Sequence, residues 1–280
     1  MKQITDKLIR KFEQYLICEE KSQNTVTKYI RDVTAFMEWA GERELCKTVV
    51  LEYKQQLIER YEAASVNSVI SSLNSFFAFN EWFALRIKTM KRQRRIFSDE
   101  SRELTKSEYL RLLQAAKDNK RLYYLMQTIC STGIRVSELK YITCEAVAAG
   151  QATIRCKGKM RMVLLPKQLC RILKQYIEER NISSGAIFIT KTGKPLDRSN
   201  IWSDMKKLCD SAGIAKSKVF PHNLRHLFAR TFYALQKDIV RLADILGHSS
   251  VNTTRIYTME SGDFHRRQIE QMGLLRWRAT

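Results

Sequence analysis

A histidine and a tyrosine nine residues apart, His248 and Tyr257, lie in the segment LGHSSVNTTRIY (246–257). Upstream, PHNLRH (221–226) places His222 and His226 at i, i+4, with Arg225 three residues after His222. On a helix, His222 and Arg225 share a face, and a guanidinium beside an imidazole suits an oxyanion such as phosphate. A second arginine, Arg135, lies in STGIRVSEL (131–139), with Glu138 within reach three residues on. Alone, that couple could be a surface ion pair. Its neighbours Ile134, Val136 and Leu139 are apolar, so the turn is expected to be partly buried, where an arginine is seldom idle. The KGKM turn (157–160) adds Lys157 and Lys159.

A phenol is a weak nucleophile until its proton is removed and its target is polarised. Two guanidiniums can polarise a phosphodiester and hold the charge of a pentavalent transition state. Lysine and histidine can move protons. The set is complete for metal-free phosphoryl transfer to tyrosine. Other chemistries lack parts. The His222/His226 spacing is that of a helical metal pair, but no Glu follows the first His, and Arg225 would set a cation beside any metal; His226 is read as structural. KGKM and TGKP lack the phosphate-loop frame, and no carboxylate cluster offers ligands for a two-metal site.

The elements that must position these residues can be read from periodicity. Residues 3–83 carry four helical patterns: Ile4, Leu8, Ile9, Phe12 and Leu16; a second after SQNT (22–25), with Val26, Tyr29, Ile30, Val33, Phe36 and Met37, stopped by Gly41; a third over about 48–61; and a fourth over about 65–83. They predict a small bundle. RIKTMKRQRRIFSDESR (86–102) is then poor in apolar anchors and rich in charge. It reads as a linker, and Lys91, Arg92, Arg94 and Arg95 in it could lie along a phosphate backbone. Thr105 to Glu108 spell a capping box opening the next helix, and another covers about 120–130, broken at Gly133. ATIRC (152–156) and RMVLLP (161–166) flank KGKM as a hairpin. Helices follow over about 167–180 and 199–211, with a short strand, AIFIT (186–190), between them. The remainder from Pro221 is helical.

The bulk numbers agree with a polyanion partner. The 280 residues suffice for two domains, and 49 Lys and Arg against 29 Asp and Glu leave a net charge of +20. The seven cysteines are scattered without a C-x-x-C, as reduced thiols in a cytosolic protein would be. The charged first twenty residues do not read as a signal peptide, and no apolar run is long enough for a membrane span.

TGIRVSEL (132–139), the KGKMR hairpin (157–161), HNLRH (222–226) and LGHSSVNTTRIY, in that order, resemble the boxes of the tyrosine recombinases of the phage-integrase type, which include Xer-like resolvases and transposon integrases. The NTVTKYIRDVTAF helix (24–36) resembles part of that family's core-binding domain, so the likeness spans nearly the whole chain. It implies a mainly α fold with a small β-sheet: a SAM-like helical core-binding bundle over 1–85, a basic linker over 86–102, and an α+β catalytic domain with a C-terminal tail over 103–280.

By the same resemblance Arg135 and Arg225 would bind the scissile phosphate, and Lys157 would protonate the departing 5′ oxygen. His222 would assist proton transfer at the tyrosine, His248 would hydrogen-bond the phosphate, and Tyr257 would attack to leave a 3′-phosphotyrosine. Glu138 would support Arg135. The hairpin is one residue shorter than the family's usual K-G-x-K-x-R, so Lys159 stands as second choice for the acid. No metal, cofactor or ATP is implied. The implied partners are duplex DNA with inverted-repeat half-sites, three further copies in a tetramer on DNA, and in some systems a directionality factor. The implied location is the cytoplasm, at the bacterial nucleoid when DNA is bound. The tail 262–280 could dock on a neighbouring subunit or on its own domain. The rival readings are a catalytically silent architectural or regulatory protein of the same fold, whose mark would be a missing box residue, and a relaxing enzyme of the type IB topoisomerase kind.

Overall fold

The computed structural model describes residues 2–91, 97, 99–156, 159–190, 192–259 and 262–274. They divide into two compact units, 1–94 and 95–280.

The first unit is a four-helix bundle: α1 (Asp6–Cys18), α2 (Gln23–Ala40), α3 (Lys47–Arg60) and α4 (Ala63–Phe79). Each helix turns one apolar stripe inward, and Phe12, Leu16, Phe36, Phe76 and Phe77 fill the centre without solvent exposure. Ser22 occupies the N-cap of α2, but its hydroxyl pairs with the Thr25 hydroxyl at 2.8 Å instead of capping a backbone N–H. The stretch expected as a linker from residue 86 begins as part of this bundle. Ile87 is buried in its core. Two asparagines seven residues apart on α4 grip the chain: Asn74 exchanges hydrogen bonds with the Ile87 backbone at 2.8 and 2.9 Å, and Asn67 does the same with Met90 at 2.7 and 3.0 Å. Amide side chains satisfy extended backbone in this way when no strand is present to do so. Lys91 is exposed; Arg92, Arg94 and Arg95 lie outside the described residues.

The second unit opens with α5 (Lys106–Ala115), held by the predicted capping box between Thr105 and Glu108, and α6 (Lys120–Thr132). A 3-10 turn (Val136–Tyr141) and the short α7 (Cys144–Ala149) lead into strands β1 (Gln151–Cys156) and β2 (Lys159–Leu164). These pair antiparallel with Cys156 opposite Lys159, so the loop is only two residues long. The hairpin's inner face contributes Ala152, Ile154 and Val163 to the core, while Met160, Met162 and Leu164 face outward. Next come α8 (Lys167–Glu179), α9 (Arg198–Lys207), α10 (Cys209–Ala212), α11 (Pro221–Gln236), α12 (Ile239–Leu246), α13 (Val251–Thr254) and α14 (Gly262–Gln271).

Two expectations are corrected here. AIFIT does not form a strand; it makes only isolated bridges, Thr143 to Ala186 and Ile189 to Pro195. The helix expected over 199–211 is two helices, interrupted at Leu208. Among the described residues no helix is long and apolar enough to cross a membrane.

Candidate active site

The site forms where the end of α6, the start of α11 and the end of α12 meet. Gly133 closes α6 with a left-handed φ of 65°. A Cβ there would come within 2.6 Å of Phe228 Cε1 on α11 and 3.0 Å of Leu246 Cδ2 on α12. Only glycine permits both the turn and this close approach. The chain leaves that turn with Arg135 at the N-cap of the following 3-10 turn.

Arg135 is anchored by Glu138, which is 3% exposed. One Glu138 oxygen accepts from Arg135 Nη1 at 2.9 Å, and the other accepts from the Arg135 backbone N–H at 2.7 Å. Burial by itself would raise the Glu138 pKa. The Arg135 N–H, the Arg161 charge and the Arg135 guanidinium together outweigh it and hold the carboxyl below its ordinary range. Arg135 itself stays 42% exposed, free enough to meet a ligand.

Arg225 is its opposite, a guanidinium 1% exposed. It sits on α11, which Pro221 starts at the first helical position. Its Nη1 donates to the Gly133 carbonyl, and its Nη2 donates to the Leu246 carbonyl at 2.9 Å and meets His248 Nε2 at 3.0 Å. Among the described residues its Nε has no hydrogen-bond partner. A buried cationic N–H without an acceptor is costly, and an anion is the natural remedy. Burial first, then the neighbouring Arg135, lower the Arg225 pKa, while Tyr257 and Glu138 oppose the shift.

His248 follows Gly247, whose φ is 66°. Because arginine can only donate, His248 Nε2 must accept from Arg225. The ring proton is therefore on Nδ1, which donates to Thr254 Oγ1 at 2.8 Å. Desolvation first, then Arg225, Arg135, Arg161 and His222, lower the His248 pKa to about 4, so the ring is neutral at pH 7.

Tyr257 returns to this cluster through α13 and a 3-10 turn (Arg255–Tyr257). It is 3% exposed and packs with Ala229, Leu242 and Leu246. Its ring lies 5.9 Å from His248, nearly parallel, and edge-on to His226 at 4.6 Å. His226 in turn meets His222 at 4.6 Å. Desolvation, His222 and Arg225 lower the His226 pKa to about 4. His222 stands at the rim, exposed to solvent; partial desolvation and Arg225, Arg198 and Arg135 lower its pKa too.

Arg135, Glu138, His222, Arg225, His248 and Tyr257 thus come together within one chain. Lys157 lies outside the described residues. The Lys159 backbone opens β2 opposite Cys156. The sequence reading gave no role to Arg161, whose two guanidinium ends bridge Glu138 and the Ile245 carbonyl, or to Thr254, fully buried under His248. It also missed Asn223. That side chain donates at 2.7 Å to the carbonyls of Arg102 and Lys218, tying the entry of the second unit to α11. Such contacts span anything from 5 to 121 residues, and no local period announces them.

A tyrosine set beside a buried arginine and two neutral histidines on a mainly α scaffold, with a second, open arginine in the same cluster, defines a class: a site for phosphoryl transfer to a phenol. The phage integrase family profile matches residues 102–262, and that of the phage integrase N-terminal SAM-like domain matches residues 9–82. The chain belongs to the phage integrase family, the tyrosine recombinases. It is 30% identical over 281 residues to tyrosine recombinase XerA of Thermococcus kodakarensis, covering 96% of each chain. It is 28% identical over 265 residues to tyrosine recombinase XerD of Oceanobacillus iheyensis, covering 85% of this chain and 88% of that one. Among solved structures, a XerA recombinase is 27% identical, with a TM-score of 0.53 over 98% of this chain and 100% of that chain. A lambda integrase dimer bound to a COC′ core site shares the fold at 18% identity, with a TM-score of 0.75 over 99% and 98% of the two chains.

Proposed function

We infer that this chain is a site-specific DNA recombinase that cuts and rejoins DNA strands through a 3′-phosphotyrosine. The observation that carries the reading is the enclosure of Tyr257 by His226, His248 and the Arg225 environment within one subunit. Arg135 and Arg225 hold the non-bridging oxygens of the scissile phosphate, the exposed fork entering from outside and the buried one using its unpartnered Nε. The Tyr257 oxygen bonds to phosphorus as the bond to the 5′ oxygen breaks. The phenol proton leaves toward His222, and Lys157, or Lys159 as second choice, protonates the 5′ oxygen. An arriving phosphate competes with His248 Nε2 for the Arg225 proton, and its charge raises the ring's proton affinity. His248 then donates to the phosphate. The phosphotyrosyl ester conserves the energy of the broken link, so a 5′-hydroxyl from another strand can reverse the step without ATP.

Duplex DNA is the substrate, with inverted-repeat half-sites and a tetramer of this chain as the working assembly. A lambda integrase tetramer bound to a Holliday junction, which shares the fold at a TM-score of 0.71, supports that arrangement. Lys91, Arg92, Arg94 and Arg95 would neutralise phosphates of the DNA backbone. A directionality factor is a further candidate partner, and the working location is the cytoplasm. The silent architectural reading is not favoured, because every box residue is in place.

The test is a covalent selection. The protein is incubated with a library of nicked duplexes with randomised arms, and DNA that stays attached after denaturation is sequenced. Recovery of a duplex with inverted repeats by the wild type, and of none by Tyr257→Phe, supports the reading. Equal recovery by both proteins overturns it. Strand exchange between two recovered sites separates recombination from simple relaxation.

A further inference from the structure

Three segments that carry the site meet at one side chain that no step of the mechanism uses. Arg161 comes from β2, in register opposite Ile154. Its Nη2 donates to Glu138 Oε2 at 2.6 Å, and its Nη1 donates to the Ile245 carbonyl at 2.7 Å. Glu138 holds Arg135 through its other oxygen, and Ile245 lies three residues before His248. One planar fork therefore joins the hairpin, the Arg135 turn and the His248 turn.

The approach is close. A Cβ on Gly247 would fall under 3.0 Å from Arg161 Cδ and 2.7 Å from its Nε. The arginine stem crosses directly over that glycine, and because both guanidinium ends are committed, it cannot easily swing aside. Arg161 lines an open cleft of about 700 Å³ together with Arg135, Ser137, Gly247, His248 and Ser249. It is only 15% exposed, and its fork is spent on protein acceptors, so it does not offer itself to a phosphate as Arg135 does.

We propose that Arg161 is a positioning residue of the transfer reaction: it fixes Glu138, and through it Arg135, against the turn that presents His248, and Gly247 is the glycine that admits it. The proposal rests on the recombinase reading. A lysine cannot replace it, since a single ammonium lacks the rigid two-pronged fork that spans a carboxylate and a carbonyl. A small displacement of catalytic groups costs on the order of a hundredfold in rate.

The full-length chain is used with the nicked duplex recovered by covalent selection, made with either the natural linkage or a 5′-bridging sulfur, which departs without needing a proton. Wild-type adduct formation is measured first, so failure of the recombinase reading shows before any variant is compared. We expect Arg161→Ala and Arg161→Lys to bind the duplex as tightly as wild type and to cleave roughly ten- to a hundredfold more slowly on both linkages. Millimolar guanidinium should restore part of the Arg161→Ala rate, which a merely structural loss would not allow. Gly247→Ala should show the same defect on both linkages. Wild-type cleavage by Arg161→Lys overturns the proposal. So does a defect that vanishes on the sulfur linkage, because Arg161 would then serve only the hairpin's lysine. Should Arg161→Ala fail to fold, Arg161→Lys decides alone.

Discussion

The two arginines of the site are unequal, and substitutions will show it. Arg135 is half in solvent, and if it is removed Glu138 still keeps Arg161. Arg135→Ala should keep the wild-type melting temperature within a few degrees and bind DNA, yet lose adduct formation by ~10²–10³-fold, the scale of a lost oxyanion donor. Arg225 is buried, and its loss strands the Gly133 and Leu246 carbonyls. At about 1–3 kcal/mol for each unsatisfied group, Arg225→Ala should unfold several degrees lower as well as lose cleavage. Equal melting temperatures for the two variants would contradict this asymmetry. The histidines make a second prediction. His226 and His248 both titrate near about 4 in the fold, against an ordinary 6.5. Between those values the unfolded chain binds more protons, so stability is full above about 6.5 and is lost as pH falls toward 4. The melting temperature of the DNA-free protein should drop through that window, and His226→Phe, which keeps a ring against Tyr257, should flatten the drop. A profile unchanged by that substitution would count against a neutral, desolvated His226. The types and order of Arg135, His222, Arg225, His248 and Tyr257 were legible in the sequence because the chemistry needs those groups. The burial that makes Arg225 a structural pivot and leaves Arg135 open was not, since it depends on the Gly133 and Leu246 carbonyls, supplied by two segments far apart in the chain.

At the scale of elements, glycine-ended turns set the geometry. Gly133 lets α6 end where Phe228 and Leu246 press closest. Gly133→Ala combines a strained positive φ with that contact and should cost roughly 1–3 kcal/mol, read as a lower melting temperature, with slower adduct formation because Arg135 follows two residues later. A variant as stable as wild type would mean that α11 does not bear on this turn. Most helices were legible because their apolar faces repeat at 3.6 residues, and the hairpin was legible from its alternation around KGKM. AIFIT misled because Ile and Phe favour strands, but its pairing with the Ile142–Thr143 backbone stops at a single bridge, and Pro195 opposite Ile189 has no N–H to extend a ladder. The segment 86–90 misled in the other direction. Its basic composition hid two anchors, Ile87 and Met90, whose asparagine partners lie thirteen and twenty-three residues earlier.

For the molecule as a whole, the charge of +20 bears on how DNA is held. If binding neutralises six to ten phosphates, affinity for a recovered duplex should fall ~10³–10⁵-fold between about 50 and 200 mM salt. A shallow dependence would point to binding dominated by base contacts. Ile269, Met272 and Leu274, in and just after α14, are exposed. The central proposal, that Tyr257 becomes covalently joined to a DNA 3′ phosphate through groups of this chain alone, has one direct measurement. The recovered nicked duplex is cleaved in the presence of EDTA, the adduct is digested with protease and nuclease, and the modified peptide is sequenced by mass spectrometry. We expect a nucleoside 3′-phosphate on Tyr257, formed at the same rate with and without the chelator. A phosphate on any other residue, or an adduct that requires a metal, would contradict it.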